Sequence, residues 1–443
     1  MKKKFSIFAA MIMLLSIMLT ACGGSSSSGE AGGSGSSGGE GSESASGGDK
    51  VKLEIFSWWT AGGEADALKA LLKGFEEKYP NINAVNAAVA GGAGSNAKAV
   101  LATRMQGGDP PATFQVHGGA ELFTWVDAGK MASLDKLYEE NGWNGVFPQK
   151  IIDMNSKNDH VWAVPMDIHR GNVIFYNKKV FEENGVKPPK TFEEFFAAAE
   201  KLKANGVTPL ALGDKNIWPA TMLFENTLLG KLGPEKYAKL WTGEVPFDSS
   251  AVKESAKIFK KMLGYINENH ASLAWQDAAQ LVIDGKAAMT VMGDWAEGYF
   301  VAKGWKPKED FGWIETPGTQ KSFMVINDSF GLPKGVENPD AVKKFLSYLG
   351  TKEAQVTFNK IKGSIPARTD VDKSKFNVYS KSTIEDFQAA KKNSSLALSL
   401  AHGSAASPGF LTKVNNAVNI FVTQQNVDQF IGQLKQASSL LKK

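Results

Sequence analysis

One cysteine, Cys22, stands among 443 residues, so the chain builds neither a disulfide framework nor a cysteine-held metal site. The five histidines, at 117, 160, 169, 270 and 402, stand far apart. No HxxxH or HExxH pairing sets two imidazoles on one helical face for a metal. A GxSxG elbow, a phosphate-binding loop and a GxGxxG following a strand are all missing, and Gly91-Gly92-Ala93-Gly94 lacks both the lysine and the spacing of such a loop. Charge of one sign is also scarce. The formal net charge is +4, and the first 21 residues hold three lysines and no acid, so it falls to +1 without them. That balance excludes the basic footprint of a nucleic-acid binder and the field that would draw an acidic polymer. After residue 18 no apolar run is long enough for a membrane-spanning helix.

What is present begins with a targeting signal. Three lysines at 2–4 precede an apolar stretch over 5–18, and Leu19-Thr20-Ala21-Cys22 resembles a bacterial lipoprotein signal. Cleavage is expected before Cys22, whose thiol would carry a diacylglyceryl group; two or more acyl chains anchor stably where one does not. Residues 23–50 hold 11 glycines and 10 serines among 28, with four acids dispersed through them. This composition predicts a solvated, disordered tether that reaches about 30 Å root-mean-square.

The folded part is organised around VKLEIFSWWTAGGE, residues 51–64. Val51, Leu53 and Ile55 alternate as on a strand, and Leu68, Leu71, Leu72, Phe75 and Tyr79 keep helical spacing up to Pro80. The strand, turn and helix thus present Trp58, Trp59 and Glu64 at the carboxyl end of a strand, where open α/β sheets bind ligands. Indole faces stack on the C–H faces of a sugar while its hydroxyls donate to carboxylate oxygens. The competing reading places both tryptophans in the core.

Strand patterns recur at 82–90, 113–116, 160–164, 172–176, 287–292 and 322–326. Helical patterns lie between them, at 95–106, 191–204, 250–267, 275–284, 339–349 and 352–360. The alternation predicts an α/β protein with no tandem repeat. Thr191 with Glu194 reads as a capping box, and Asn338 reads as an N-cap before Pro339. Gln115 and His117, two apart on one strand, share a face and together could bridge vicinal hydroxyls. Trp275 opens a helix and Trp295 follows a buried strand, each with a core reading beside the binding one. Residues 168–172, Ile-His-Arg-Gly-Asn, form a polar break between two strands: an interdomain crossover, a wall of the cleft, or, for Arg170, a salt-bridged loop. Asp328 follows a strand, Lys362 opens a glycine- and proline-bounded loop, and His402 lies in a stretch of small residues.

Several strings together resemble the extracellular solute-binding proteins of bacterial ABC sugar importers, the carbohydrate-binding family that includes the maltose-binding proteins. They are LEIFSWW, GGAGSNAKAVL, MQGGDPPATFQVH, VPMDIHRGNV, GKAAMTVMGDW, NDSFGLPKG, KGSIPAR and the late HG, and they lie closest to the glucose-binding branch. The resemblance spans 51–443. It implies a two-lobed periplasmic-binding-protein-like fold with a hinge, each lobe an open α/β sheet of discontinuous segments. Residues 51–167 and 321–366 would form lobe one, and 169–317 and 370–443 lobe two. It implies sugar contacts at Trp58, Trp59, Glu64, Gln115, His117, Trp275, Trp295, Asp328, Lys362 and His402. No catalytic group, no metal and no cofactor is implied. The partners would be a glucose-like monosaccharide or short oligosaccharide, a membrane permease and, through Cys22, the outer face of the cytoplasmic membrane, with the protein a monomer.

Two rivals are weighed against this. A glycoside hydrolase also combines tryptophan with two acids about 5–10 Å apart, and Glu64 with Asp328 resembles such a pair. A receptor for iron or a polyamine would have the same architecture, but the eight tyrosines stand singly, and a polyamine site calls for more than one acid against few cations.

Overall fold

The computed structural model describes residues 50–441. The expected signal, Cys22 and nearly all of the tether lie outside the described residues. Strand Val51–Phe56 buries Leu53 and Ile55 completely and pairs in parallel with Ile82–Asn86 on one side and Thr113–His117 on the other. The helix that follows, Gly62–Lys78, lays Leu68, Leu71, Leu72 and Phe75 on this sheet. It starts two residues before the expected Glu64, because the paired glycines form its first turn. Two antiparallel strands, Asp328–Gly331 and then Ala163–Pro165, complete the sheet from distant parts of the chain.

A second sheet runs Phe311–Glu315, Val173–Asn177, Ala287–Met292 and Thr208–Ala211, in that order. Each sheet has its own apolar core. The first core draws on residues 51–168, 323–367 and 384–398; the second draws on 174–291 and 397–441 with Met324 and Ile314. These are the two lobes of an α/β fold. Helix Val378–Lys392, placed in lobe two by the resemblance, instead sends Ile384, Phe387 and Ala390 into the first core, where Phe387 meets Phe323 edge to face.

Two strands carry the chain between the sheets. Asp167–Arg170 lies between the first-sheet strand Ala163–Pro165 and the second-sheet strand Val173–Asn177, and Phe323–Ile326 makes the return passage toward Asp328–Gly331. They pair antiparallel with each other and are flanked by Ile365–Pro366 and Leu396–Leu398. The crossover reading of 168–172 is observed, built as a strand, and the side chains of Asn172 and Arg170 are partnered in it. The Asn172 side chain donates to Thr319 Oγ1 at 2.9 Å and to Ser322 O at 3.0 Å, and accepts from Met324 N at 3.0 Å. The Arg170 guanidinium pairs with Asp386 at 2.6 Å and Glu315 at 3.4 Å.

Other local expectations shift. Thr191 Oγ1 accepts from Glu194 N as expected, but Glu194 Oε2 accepts from Lys190 N, one residue before the box would have it. The Asn338 side chain makes no capping bond, although Pro339 does open its helix. The helix expected over 250–267 stops at Leu263 before Gly264. The longest helix, Trp218–Trp241, was not anticipated. Sixteen of its 24 residues are buried, so it shows no single apolar stripe, and Gly233 (φ 71°) with Pro234 kinks it.

Candidate functional site

Between the two cores lies a narrow cavity with a wall from each lobe. Its first-lobe wall is polar. Trp58 and Glu64 come from the opening strand–turn–helix, His117 from the end of its strand, Asp328 from the start of the returning strand, and Lys362 from the end of helix Lys352–Lys362. Its second-lobe wall is aromatic. Trp218, Trp275 and Trp295 are each the first residue of a helix, so three helix starts aim indoles at one space. Glycine makes the packing possible. A Cβ on Gly63 would sit 2.9 Å from Ile361 O and 3.1 Å from Gly298 O, and one on Gly298 would sit 2.2 Å from Lys362 O. Three helices therefore meet backbone to backbone beside Glu64, Trp295 and Lys362.

The polar wall is an ordered charge network. Lys362 Nζ lies 2.7 Å from Asp328 Oδ2, 3.1 Å from Asp167 Oδ2 and 4.0 Å from Glu64 Oε1. Burial pulls this ammonium down, but Asp167, Asp328 and Glu64 pull it up by more, so it stays charged. His169, on the crossover strand, sits between Asp294 on Nδ1 and Asp167, 3.2 Å from Nε2. Burial and Lys362 lower its pKa, the two aspartates raise it, and the outcome is about 9. Asp167, His169 and Asp328 together have the donors of a metal site. However, Lys362 already bonds both carboxylates, so the cationic place in this cluster is taken by an ammonium.

Glu64 differs from its neighbours. Burial pushes its carboxyl up to about 7, against the pull of Lys362. His117 Nδ1 donates to Glu121 Oε2 at 2.9 Å, a carboxylate also paired with Lys98 at 2.7 Å, and its Nε2 lies 3.6 Å from Asp328 Oδ1. On the second-lobe side, Ser399 Oγ donates to Glu225 Oε1 at 2.7 Å and lies 2.8 Å from His402 Nδ1. With that hydroxyl proton committed to Glu225, Nδ1 donates to Ser399 and Nε2 carries the lone pair. Nε2 is buried without a partner. Burial, followed by the nearby His117 and Lys98, holds His402 well below the usual imidazole value, so it is a neutral acceptor facing the cavity.

Eight of the ten expected binding residues line this cavity: Trp58, Glu64, His117, Trp275, Trp295, Asp328, Lys362 and His402. Trp59 and Gln115 do not. Trp59 is wholly buried, its ring 4.7 Å from Phe358 and 5.7 Å from Phe330, with Lys362 Nζ 4.2 Å from its centroid. Both tryptophans lie in the loop after the strand, and of the pair only Trp58 reaches the cleft. Gln115 stands one step back, accepting from Trp58 N at 3.1 Å and donating to Asp328 Oδ1 at 2.8 Å. Trp218 lines the cavity and was not anticipated; His169 lines it too, from the stretch 168–172 that was one candidate for a wall of the cleft.

A larger space of about 760 Å³ lies against the crossover strands, floored by Ile168, Ile365 and Phe387. It lacks a facing pair of polar and aromatic walls, so chemistry rather than size selects the site.

Comparison with known proteins agrees with this geometry. The family described as bacterial extracellular solute-binding protein matches residues 61–356. The chain belongs to that family. It is 44% identical, over 85% of both chains, to an uncharacterized ABC transporter extracellular-binding protein of Pyrococcus horikoshii. It is 34% identical to a probable sugar-binding periplasmic protein of Brucella melitensis, covering 87% of this chain and 89% of that one. The solved chitin oligosaccharide binding protein superposes with a TM-score of 0.79 at 22% identity, over 89% of this chain and all of that one. The two-lobed α/β architecture is thus that of the solute-binding proteins.

Proposed function

We propose that this receptor is anchored through Cys22 on the outer face of the cytoplasmic membrane. There it captures a glucose-like monosaccharide or a short oligosaccharide and delivers it, without turnover, to an ABC import permease. The observation that carries the reading is the pairing of walls around one small cavity. Hydroxyls meet Glu64, His117, Asp328, Lys362 and the free Nε2 of His402, while the C–H faces of the ring meet Trp58, Trp275 and Trp295. Binding rather than hydrolysis is supported by Asp328. Its carboxylate is tied to Lys362 and Gln115, which suits orienting a hydroxyl better than activating water. Among the described residues no helix is long and apolar enough to cross a membrane.

The test is calorimetry of the mature domain against glucose, galactose, xylose and their disaccharides, with product analysis after hours of incubation. Binding with the sugar recovered intact is expected; cleavage of the sugar, or no binding to any of them, overturns the reading. Fatty-acid labelling of cells should mark the wild type and miss Cys22→Ala, and label retained in the variant would remove the anchor from the proposal.

A further inference from the structure

Glu225, on the helix Trp218–Trp241, is wholly buried and does not line the cavity. Its partners are a hydroxyl, a phenol and two backbone N–H groups, with no cation among them. A buried carboxylate without a counter-ion is costly to keep. We propose that Glu225 is a positioning residue for the sugar site. Acting through Ser399, it holds His402 as a hydrogen-bond acceptor, so the site demands a hydroxyl donor at that point and rejects a sugar lacking one there. The inference rests on the sugar-binding reading above and deepens it at one contact.

The Ser399 hydroxyl has one hydrogen to give and two lone pairs to fill. His402 N donates to Oγ at 3.3 Å and takes one lone pair. Glu225 Oε1 lies 2.7 Å away and, when ionised, can only accept, so it takes the hydrogen. The remaining lone pair faces His402 Nδ1 at 2.8 Å, and that nitrogen carries the ring proton. Nε2, buried and without a partner, is left as the acceptor on the cleft wall. The other carboxylate oxygen fixes the turn itself, accepting from Leu400 N at 2.6 Å and Ala401 N at 3.1 Å. Anchoring the turn needs only Oε2; the bond from Ser399 to Oε1 is what reaches the imidazole. The same helix also steadies the ring directly. Trp218 stands two turns before Glu225, and its ring centroid lies 5.4 Å from that of His402.

The test inverts the relay with Glu225→Gln. The amide oxygen keeps Leu400 N and Ala401 N, and the amide nitrogen donates to Ser399. The hydroxyl then gives its hydrogen to His402 Nδ1, and the ring proton moves to Nε2. Burial pushes the Glu225 carboxyl up to about 7 against its donors, so both measurements run at about pH 8.5, where it is ionised. First, nitrogen resonances of isotope-labelled histidine are recorded without sugar, with His402→Asn to identify the signal. His402 should be protonated on Nδ1 in the wild type, on Nε2 in Glu225→Gln, and on a mixture of the two in Ser399→Ala. Second, calorimetry compares glucose with each of its monodeoxyfluoro derivatives, in which fluorine fills the place of a hydroxyl but cannot donate. One derivative should bind the wild type about tenfold or more weaker than glucose, and Glu225→Gln should cut that penalty to within about threefold while leaving the others as they were. If His402 keeps one tautomer in both proteins, Glu225 only anchors the turn and the proposal fails. Should Glu225→Gln not fold, Ser399→Ala decides, and an unaltered tautomer there overturns the relay. A tautomer that inverts while every penalty stays unchanged overturns the demand for a donor, and the sugar reading stands. If none of these sugars binds either protein, the demand falls with the sugar reading, and the resonances still decide the relay.

Discussion

The two walls of the cleft are built from opposite materials. On the first lobe, Glu64, His117, Asp328 and Lys362 belong to a network of ions that extends behind the surface to Asp167, His169 and Asp294. On the second lobe the wall is three indoles and a neutral imidazole, and its support is apolar. Trp218, Trp275 and Trp295 share a buried cluster with Met222, Ala279 and Phe300. The polar wall depends on atomic positions held by partners, so removing one member leaves others buried and unpaired. The aromatic wall depends on area and shape, and a loss there stays local. This contrast predicts that variants of the first wall disturb folding and binding through lost charge partners, whereas variants of the second do so through lost packing.

The largest expected effect is at Lys362. In Lys362→Met, Asp167 and Asp328 lose the ammonium that both contact, and breaking a buried pair this way costs about 3–5 kcal/mol. The melting temperature should fall steeply and sugar affinity should drop more than about a hundredfold. Thermal denaturation and calorimetry report the two separately. A variant that melts with the wild type would show that the charges are not mutually dependent, and the contrast between walls would fail.

Trp295 and His117 sharpen the comparison from opposite sides. Trp295→Ala removes a stacking face worth about 0.5–1.5 kcal/mol beyond its area. His117→Ala leaves a sugar hydroxyl without a partner, at about 1–3 kcal/mol. Each should weaken binding by roughly ten- to a hundredfold. Both should also melt lower, Trp295→Ala because a void opens in the buried cluster it shares with Met222 and Phe300, and His117→Ala because Glu121 loses one of its two cationic or donor partners. Melting curves that match the wild type would remove the packing and pairing roles, and unchanged affinities would take both residues out of the site.

How much of this was legible in the sequence follows the same division. The opening strand and helix were readable because Leu53 and Ile55 alternate and the Gly62-Gly63 pair marks the turn. Trp58, Trp275 and Trp295 were readable because tryptophans at the starts and ends of elements have few uses other than ligand or core. Trp218 was hidden inside an all-round buried helix, whose lack of a polar face removes the periodic signal. His169 was legible only as part of the polar stretch 168–172. Its role depends on Asp294, 125 positions away, and no local pattern announces such a partner. Trp59 was misread because two adjacent tryptophans look alike in a string, and only packing against Phe330 and Phe358 separates the buried one.

Glu64 gives the smallest effect, and it tests whether the polar wall is charged throughout. Its carboxyl titrates at about 7 in the fold against an ordinary value of 4.5. Folding therefore raises this pKa, and the folded state holds the proton more tightly than the unfolded chain. Below pH 4.5 both states are protonated and the group contributes no difference. Between 4.5 and 7 the unfolded chain releases its proton and the folded one retains it, so stability falls as pH rises and then levels off above 7. Glu64→Gln cannot titrate, so its stability relative to wild type should increase across that window. Binding has the opposite slope. A sugar hydroxyl donates to the ionised carboxylate, so wild-type affinity should rise toward pH 7 and flatten above it, by less than about tenfold in all, while Glu64→Gln shows no such rise. Calorimetric titrations and melting curves at pH 5, 6, 7 and 8 on both proteins make the check. If wild type and Glu64→Gln run parallel in both measurements, Glu64 is ionised throughout this range and the polar wall has no neutral member.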